Sequence, residues 1–318
     1  MKNARIAILG ASGYTGAELV RLLLNHPRVD IVALTGESKA GMKMGDVYPH
    51  LAIYNLPQLQ RIDELSWDDF DLAFCALPHG TTQQVIAKAM SSNKNLKIVD
   101  LSADFRLHDI KAYARWYNLE HQAAELQKEA VYGITEHYRE QIEKARLVAN
   151  PGCYTTTAIL PIVPLLKGGI IVHDPIVIDA KSGVTGAGRA AKEASLFTEI
   201  AEGFHAYGVG SHRHMSELDQ EFSKAAGREV VASFTPHLLP INRGILETIY
   251  VHLQKGKTIE DAHKALSTAY DGEAYVKILP LGQLPATRHV RGSNLCLIGM
   301  TKDRIDGRVA HQVDAVGV

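Results

Sequence analysis

The sequence predicts a two-domain protein, in which a parallel β-sheet covered by helices on both faces is followed by an α+β domain. Residues 5–35 contain a strand, a glycine-rich turn, a helix and a second strand, which is the length of a βαβ unit. Asp71–Leu77 is a continuous apolar run, typical of a central parallel strand buried on both faces. After residue 150, short strands with longer connections replace the alternation of strand and helix, which indicates a different second domain.

The elements of the first domain follow from apolar runs and their end signals. Asn25-His26-Pro27 ends the first helix, because proline cannot continue it. From Leu107 to Lys144 the pattern is helical and polar, with an interruption near Tyr132-Gly133. The predicted strands are Arg5–Leu9, Val29–Thr35, Asp71–Leu77, Lys97–Leu101 and Ala145–Ala149, and the predicted helices include Ala17–Leu24 and Thr81–Met90.

The second domain is predicted from an imperfect alternation of apolar and polar residues. Leu246–His252 fits a strand of a mostly antiparallel or mixed sheet with one buried face. We expect a dinucleotide-binding domain at 1–150, a catalytic and oligomerisation domain at 151–295, and a C-terminal segment at 296–318 that returns toward the first domain. Further predicted elements are the strands Ile176–Ala180, Val230–Phe234 and Tyr275–Leu279 and a helix over Thr258–Tyr270.

Composition excludes several classes of partner. The 318 residues are 46% hydrophobic and 22% charged, with a formal net charge of −1, so no basic face is expected for nucleic acid. The apolar run that ends at Gly10 is too short for a signal peptide or a membrane span. Three widely separated cysteines form neither a metal-binding spacing nor a disulfide framework. We therefore expect a cytoplasmic protein whose partners are small molecules.

The turn after the first strand, Gly10 to Gly16, carries the pattern G-x-x-G-x-x-G rather than G-x-G-x-x-G. A side chain there would keep a pyrophosphate from the backbone N–H groups at the start of the helix. Because a strand precedes the turn and a helix follows it, we interpret the turn as a dinucleotide-binding loop. Its candidate cofactor-binding residues are Gly10, Ser12, Gly13, Tyr14, Thr15 and Gly16.

The end of the second strand decides which nicotinamide cofactor binds. An acidic residue at that point binds the ribose 2′-hydroxyl and repels a 2′-phosphate. Thr35 stands at the tip, and Ser38 and Lys39 beyond it can hold a 2′-phosphate, so NADP is favoured; Glu37, turned inward, would favour NAD. Pro78 ends a central strand at the carboxyl edge, where ligands bind in such sheets.

Cys153 follows the turn dipeptide Pro151-Gly152 and begins an apolar stretch, Tyr154–Leu166, that predicts a buried helix. The positive end of a helix favours an anion, so a thiolate forms there more easily than in an ordinary cysteine. The alternative is one more small buried residue, which is also the interpretation for Cys75 in its apolar strand.

Three further segments carry candidate ligand-binding groups. Arg106 follows the Lys97–Leu101 strand and can present a planar guanidinium to a carboxylate or phosphate, although a surface arginine is the alternative. Ser182–Arg189 is glycine-rich and ends in a cation, as an anion-binding loop requires. His212-Arg213-His214 offers a general acid or base; no third ligand accompanies the pair at a suitable spacing, so zinc is disfavoured and we predict no metal.

These motifs together resemble the N-acetyl-γ-glutamyl-phosphate reductase family of arginine biosynthesis, within the aspartate-semialdehyde-dehydrogenase-like superfamily. The resemblance spans nearly the whole chain. Five blocks occur in the order of that family: Gly10–Gly16, Asn150–Tyr154, Ser182–Arg189, His212–His214, and Pro236–Pro240 followed by Arg243–Thr248.

The resemblance implies an NADP-linked reductase that works as a homodimer or homotetramer on an acyl phosphate. Cys153 would be the nucleophile and His212 the acid/base, with Glu217 and Arg106 near the substrate. Within the glycine-rich loop we assign Ser182, Gly183 and Arg189 to the substrate and Gly186 to the cofactor. The thiolate displaces phosphate, and the thioester accepts a hydride to give an aldehyde.

Two alternatives remain at this point. A lysine-pathway or aspartate-semialdehyde dehydrogenase would share the loop, the cysteine and the histidine, whereas an NADP-binding sensor would need only the loop. Members of the family continue past the position of Val318 into an Asp-Asn-containing segment and a helix on the cofactor domain. The sequence therefore predicts either a trimmed chain or a cofactor pocket that lacks one wall.

Overall fold

The computed structural model describes residues 2–315 and divides into two compact units between Pro151 and Gly152. Each unit is built around its own sheet. The two-domain α/β fold class predicted from the sequence is confirmed.

The sheet of the first unit is parallel throughout its described pairs, in the order β3-β2-β1-β4-β5-β7-β6. Its strands are β1 (Ala4–Leu9), β2 (Val29–Thr35), β3 (Leu59–Gln60), β4 (Leu72–Cys75), β5 (Lys97–Asp100), β6 (Ala130–Tyr132) and β7 (Leu147–Ala149). Its helices are α1 (Tyr14–Leu23), α2 (Met44–Val47), α3 (Thr82–Ser92), α4 (Ile110–Tyr117), α5 (Ala124–Gln127) and α6 (Thr135–Lys144).

Alternate residues of β1 belong to two different hydrophobic clusters. Ile6 and Ile8 pack in one, and Ala7 and Leu9 in the other. The sheet is therefore covered on both faces, which explains the continuous apolar runs of its strands. Cys75 is fully buried in the second of these clusters, as expected.

The second unit contains a mixed sheet in the order β12-β13-β14-β11-β8-β10-β9. Its strands are β8 (Val177–Gly183), β9 (His205–Ala206), β10 (Ser233–Leu239), β11 (Ile245–His252), β12 (Val276–Ile278), β13 (Cys296–Lys302) and β14 (Arg308–Ala315). Its helices are α7 (Cys153–Lys167), α8 (Phe197–Ile200), α9 (His214–Ala226) and α10 (Ile259–Ala269). Helix α7 is buried along nearly its whole length and packs against α9, β11 and β14.

Several elements differ from the sequence-based expectations. The polar stretch 107–144 contains the strand β6 as well as helices. This strand is only three residues long, too short to give a recognisable sequence pattern. The strand expected at Val230–Phe234 runs instead from Ser233 to Leu239 and passes through Pro236. Pro236 lacks an N–H donor, but its carbonyl oxygen accepts a hydrogen bond from the N–H of Tyr207, so the strand continues.

The stretch 296–318 is not a separate segment as far as it is described. Cys296–Lys302 and Arg308–Ala315 form an antiparallel pair, and the second of these strands also pairs with β11 over eight residues. This backbone pairing makes them part of the second unit's sheet. Residues 316–318 of the expected segment lie outside the described residues.

Candidate active site

Cys153 is the first residue of α7, and Gly152 is the N-cap. The cap glycine has an extended backbone, and its carbonyl oxygen accepts the N–H of Thr156 at 3.0 Å. The thiol is half-buried. It lies where the first N–H groups of a 15-residue helix point and where the helix dipole is positive. This position favours the thiolate over the thiol.

Glu217 fixes the turn before the cysteine. This residue, in the first turn of α9, is fully buried. Its Oε2 accepts the N–H of Gly152 at 3.0 Å and lies 3.2 Å from the Thr155 hydroxyl oxygen. That hydroxyl is also 2.7 Å from the Gly152 carbonyl oxygen, and its single proton serves one acceptor at a time. The carboxylate therefore holds the cysteine turn in place from the neighbouring helix.

The imidazole of His214 packs directly on Gly152. A Cβ atom built on Gly152 would lie 2.5–2.8 Å from three atoms of the His214 ring, closer than real side chains approach. Gly152 is thus required because another side chain occupies the space next to the reactive turn.

The ring of His212 lies in an aromatic cluster beside the same turn. Its centroid is 4.7 Å from that of His214, 5.5 Å from Tyr207 and Phe234, and 5.7 Å from Tyr154. Burial lowers the pKa of His212 to about 4, and Arg213 acts in the same direction while Glu217 opposes it. The imidazole is therefore neutral at physiological pH.

The protonated nitrogen of His212 is set by the backbone. Its Nδ1 accepts the N–H of His214 at 3.2 Å, and an accepting nitrogen in a neutral ring carries no proton. The proton consequently lies on Nε2. His212 can donate this proton to an oxygen that gains negative charge.

Two tyrosine hydroxyls adjoin the cysteine turn. Tyr154 donates to the carbonyl oxygen of His237 at 3.1 Å, and the Tyr207 hydroxyl lies 3.1 Å from that of Tyr154. Because the Tyr154 proton is engaged, Tyr207 donates to Tyr154. Burial raises the pKa of both phenols, and Cys153 raises them further. Both phenols are therefore protonated at physiological pH.

In the first unit, packing within the chain explains two of the three glycines of the loop from Gly10 to Gly16. Gly10 has φ +75°, and a Cβ there would lie 2.4 Å from the Ala76 carbonyl oxygen; a Cβ on Gly16 would lie 2.4 Å from the Gly10 carbonyl oxygen. A Cβ on Gly13 would meet only the Gly10 carbonyl oxygen, at 3.4 Å. Gly13 is also the N-cap of α1 and makes no side-chain cap. Packing within the chain therefore does not require a glycine at position 13, whereas a pyrophosphate that approaches the helix start would.

The end of β2 supports this loop. The Thr35 hydroxyl accepts the N–H of Gly10 at 3.0 Å, and the Ala11 N–H donates to the Thr35 carbonyl oxygen at 2.8 Å. Thr35 is 1% exposed, so its side chain holds the loop. Ser38 and Lys39 lie in an exposed 3₁₀ turn beyond it.

An open cavity of about 520 Å³ lies at the surface of the first unit, a volume in the range of small-molecule sites. Its wall contains Pro78, the predicted cofactor-binding residue, at the carboxyl end of β4. Other lining residues are Glu37, Arg61, Ile62, Asp63, Leu77, Thr81, Gln84, Val85 and Lys88. The lining thus combines four apolar residues with four charged ones.

Comparisons with known proteins agree over nearly the whole chain. The family described as "Semialdehyde dehydrogenase, NAD binding domain" matches residues 5–145, and "Semialdehyde dehydrogenase, dimerisation domain" matches residues 153–313. The N-acetyl-γ-glutamyl-phosphate reductase of Afipia carboxidovorans is 63% identical over 309 residues, which cover 96% of this chain and 88% of that protein. The chain belongs to the N-acetyl-γ-glutamyl-phosphate reductase family. The corresponding protein of Rhodospirillum rubrum is 56% identical over 97% of this chain and 88% of its own length.

Solved structures of semialdehyde dehydrogenases share the fold. Aspartate semialdehyde dehydrogenase II from Vibrio cholerae matches with a TM-score of 0.74 at 16% identity, over 99% of this chain and 93% of that one. Aspartate semialdehyde dehydrogenase with NADP from Candida albicans matches with a TM-score of 0.65 at 15% identity, over the same fractions.

Arg106, the residue that the family resemblance puts near the substrate, lies in the first unit and is 4% exposed. Its Nε donates to the Asn150 carbonyl oxygen at 2.7 Å, and Nη2 donates to the Leu101 carbonyl oxygen at 3.0 Å. Two of its donors therefore tie together the chain segments that follow β5 and β7.

The loop that carries Arg106 is anchored by Asp104, which the sequence analysis did not single out. Asp104 accepts the N–H groups of Gly80 at 2.7 Å and Thr82 at 3.1 Å, so it caps α3. Asp100, at the base of the loop, is fully buried, and this burial raises its pKa to about 7.

The predicted anion-binding loop, Ser182–Arg189, begins with the last two residues of β8 and continues beyond the strand. The Ser182 hydroxyl is buried and donates to the Gly183 carbonyl oxygen at 3.1 Å. A Cβ on Gly183 would lie 2.7 Å from the Asn242 carbonyl oxygen, so backbone packing explains this glycine. Gly186 lies in the turn Val184–Ala187, and Arg189 is exposed beyond it.

Within residues 2–315 there is no group of three or more histidine, cysteine, aspartate or glutamate side chains placed to hold a metal ion. Over the same residues, no helix has the length and apolar character needed to cross a membrane.

Tyr207 and Arg61 are further residues of these sites that the sequence analysis missed. Neither belongs to a motif with a recognisable spacing, so only the folded chain reveals them.

Proposed function

We infer that this protein is an NADPH-dependent N-acetyl-γ-glutamyl-phosphate reductase. It reduces the acyl phosphate to N-acetylglutamate semialdehyde and releases phosphate, a step of arginine biosynthesis. The observation that carries this conclusion is Cys153 at the start of α7, beside a neutral His212 and a buried Glu217, in a chain 63% identical to a protein of that name.

The covalent step uses Cys153. Its thiolate attacks the carbonyl carbon of the acyl phosphate, the C–O bond to phosphate breaks, and phosphate leaves with the bonding pair. The helix start favours the thiolate before attack, and its N–H groups can stabilise the oxyanion that develops during attack. The product of this step is a thioester on Cys153.

Bound NADPH supplies the hydride that reduces the thioester carbon. His212 donates the Nε2 proton to the carbonyl oxygen, which gives a hemithioacetal on Cys153. His212 then takes the hydroxyl proton back as the C–S bond breaks, so the aldehyde leaves and the thiolate is restored. Neutral His212, with its proton on Nε2, is in the state that this sequence requires.

The remaining site residues have binding roles in this proposal. Arg106, Ser182, Gly183 and Arg189 bind the acyl-phosphate substrate, and Glu217 orients the cysteine turn through the Gly152 N–H. The glycine loop from Gly10 to Gly16 binds the pyrophosphate of NADP. Ser38, Lys39 and Pro78 bind its adenosine half, Thr35 supports the loop through the Gly10 N–H, and Gly186 is a further cofactor-binding residue.

The protein assembles as a homodimer or homotetramer in this proposal, since residues 153–313 match a dimerisation domain. Light scattering on the purified protein tests the oligomeric state, and a monomer at micromolar concentration would contradict it. The cytoplasmic location stays a prediction.

The test of the reaction runs it in reverse. Purified protein with NADP, inorganic phosphate and N-acetylglutamate semialdehyde is expected to produce NADPH, with dependence on all three. Aspartate semialdehyde should react at least a hundredfold less efficiently, judged by kcat/KM. A preference for aspartate semialdehyde or another ω-semialdehyde would assign the chain to a related acyl-phosphate reductase, and no turnover with any of them would favour a cofactor-binding sensor.

A further inference from the structure

The acidic residue beyond β2 does not stand alone. Glu37 occupies the region where an acidic side chain binds the ribose 2′-hydroxyl of NAD and repels the 2′-phosphate of NADP. Here its Oε1 accepts the N–H of Ile62 at 3.0 Å, and its Oε2 lies 3.5 Å from Nη2 of Arg61. Both oxygens of the carboxylate are thus engaged by the segment that follows β3.

Arg61 is itself held in a defined position. Strand β3 pairs with the end of β2 through Leu34–Leu59 and Thr35–Gln60, so Arg61 follows directly where β3 ends. Its backbone N–H donates to Glu64 at 2.9 Å, and Nε donates to Asp63 at 3.2 Å. The guanidinium therefore lies between two carboxylates, one of which is Glu37.

The charges on the wall of the 520 Å³ cavity are balanced. Glu37 and Asp63 contribute two negative charges, and Arg61 and Lys88 contribute two positive charges. Without Arg61 the wall would carry a net negative charge, which repels a phosphate. The Glu37 carboxylate would also lose its cationic partner and gain freedom to accept a ribose hydroxyl.

We propose that Arg61 determines the preference of this chain for NADP over NAD by engaging and neutralising the Glu37 carboxylate. Arg61 is a positioning residue in this role, since it acts through Glu37. The inference rests on the proposed function in that a nicotinamide dinucleotide must bind, but it is independent of the acyl substrate.

The test measures binding of 2′,5′-ADP and 5′-AMP, which differ only in the 2′-phosphate, by isothermal titration calorimetry. Arg61→Gln is expected to weaken 2′,5′-ADP binding roughly three- to tenfold, the size of one solvent-screened charge interaction at a surface, and to leave 5′-AMP binding equal or tighter. Arg5→Gln is the matched control, because Arg5 is also exposed and pairs with a carboxylate, Asp69, at 3.6 Å. It should change neither affinity.

The double variant Glu37→Gln/Arg61→Gln separates the two ways in which arginine can act. If Arg61 acts through Glu37, removing both groups restores most of the 2′,5′-ADP affinity. An affinity as low as that of Arg61→Gln alone would mean that the guanidinium binds the phosphate directly, and the proposal would be wrong. Equal weakening of both nucleotides by Arg61→Gln would also overturn it, because a merely structural role has that effect.

The outcome is separable from that of the proposed function. A chain that shows these affinity changes but does not oxidise N-acetylglutamate semialdehyde with NADP and phosphate would contradict the proposed reaction and support the role of Arg61. A wild-type chain that binds both nucleotides equally would overturn the role of Arg61.

Discussion

Two helices of this chain begin after a strand and a glycine cap, and they differ in what fills the space before them. At α1 the Cβ position of Gly13 meets only one carbonyl oxygen, at 3.4 Å. At α7 the Cβ position of Gly152 is occupied by the ring of His214, and the Gly152 N–H is held by Glu217. The start of α1 is open to a ligand. The start of α7 is packed by the chain's own side chains, and its first residue carries a thiol.

The difference shows how one local motif serves two purposes. Both starts present N–H groups that have no acceptor within their own helix, together with the positive end of the helix dipole. An open start attracts a diffusing anion such as a pyrophosphate. In the proposed mechanism, a packed start stabilises an anion that the protein itself carries, the thiolate of Cys153, on a turn held by Glu217 and His214.

The largest effect on activity is expected when the thiol of Cys153, at the packed start of α7, is replaced. Cys153→Ser should lower kcat by three orders of magnitude or more, because the covalent step is lost. NADPH affinity, measured by fluorescence titration, should stay within twofold, since the open start is untouched. A serine variant that keeps more than a tenth of the wild-type rate would show that the thiol is not the nucleophile.

A smaller loss is expected at the histidines. His212→Asn should reduce kcat/KM roughly a hundredfold, as for a removed general acid, and His214→Asn should have a much smaller effect. The pKa of about 4 for His212 predicts that its neutral form persists as the pH falls through 6.5, so the rate profile should show no inflection from this residue until about pH 4. The reverse ranking of the two variants would assign the proton transfer to His214.

The two cap glycines provide the direct comparison. Gly152→Ala should lower the free energy of unfolding by about 1–3 kcal/mol, because the added methyl must displace the His214 ring. Gly13→Ala, at φ −82°, should leave stability unchanged or raise it by less than about 1 kcal/mol. It should still weaken NADP binding about tenfold, because the methyl projects toward the pyrophosphate space. Chemical denaturation and calorimetry measure the two effects, and destabilisation by Gly13→Ala without a binding defect would show that this start is also packed.

The smallest effect on NADP binding is expected at Thr35, which supports the loop from Gly10 to Gly16. Thr35→Val removes the hydroxyl that accepts the Gly10 N–H and should cost about 1–3 kcal/mol of stability, as for a buried donor left unpaired. NADP affinity should change by less than threefold, since the hydroxyl holds the loop. Thr35→Ser keeps the acceptor and serves as the control. A tenfold loss of NADP affinity in Thr35→Val alone would mean that the hydroxyl contacts the cofactor.

The sequence predicted best the parts of the fold that depend on local pattern. The strand, loop and helix around Gly10 and the helix after Gly152 follow from short apolar runs and glycine chemistry. Residues 296–315 were not predicted as strands, because their main partners, β11 and each other, depend on tertiary pairing. The end of β10 was misplaced because Pro236 is a strand breaker by propensity, and the strand continues past it through pairing with β8 and the hydrogen bond from the Tyr207 N–H.

The site shows the same division. Cys153 was identified from its turn, because the physical reason is local. The state of His212 was not predictable, since its tautomer depends on the backbone of His214 and its lowered pKa on burial among aromatic rings. The orientation of Glu37 depends on Arg61, which lies 24 positions further along the chain and approaches only because a two-residue strand pairs with β2.

The position of β14 has a consequence for synthesis of the protein. This strand, residues 308–315, lies between β11 and β13 in the sheet of the second unit. A nascent chain can form the sheet of the first unit before residue 152 emerges from the ribosome, but β11 keeps one side without its partner until β14 emerges. During that interval an eight-residue edge with alternating buried residues is exposed to neighbouring chains on the same polysome. We expect co-translational aggregation, and protection by chaperones, to concentrate on β11.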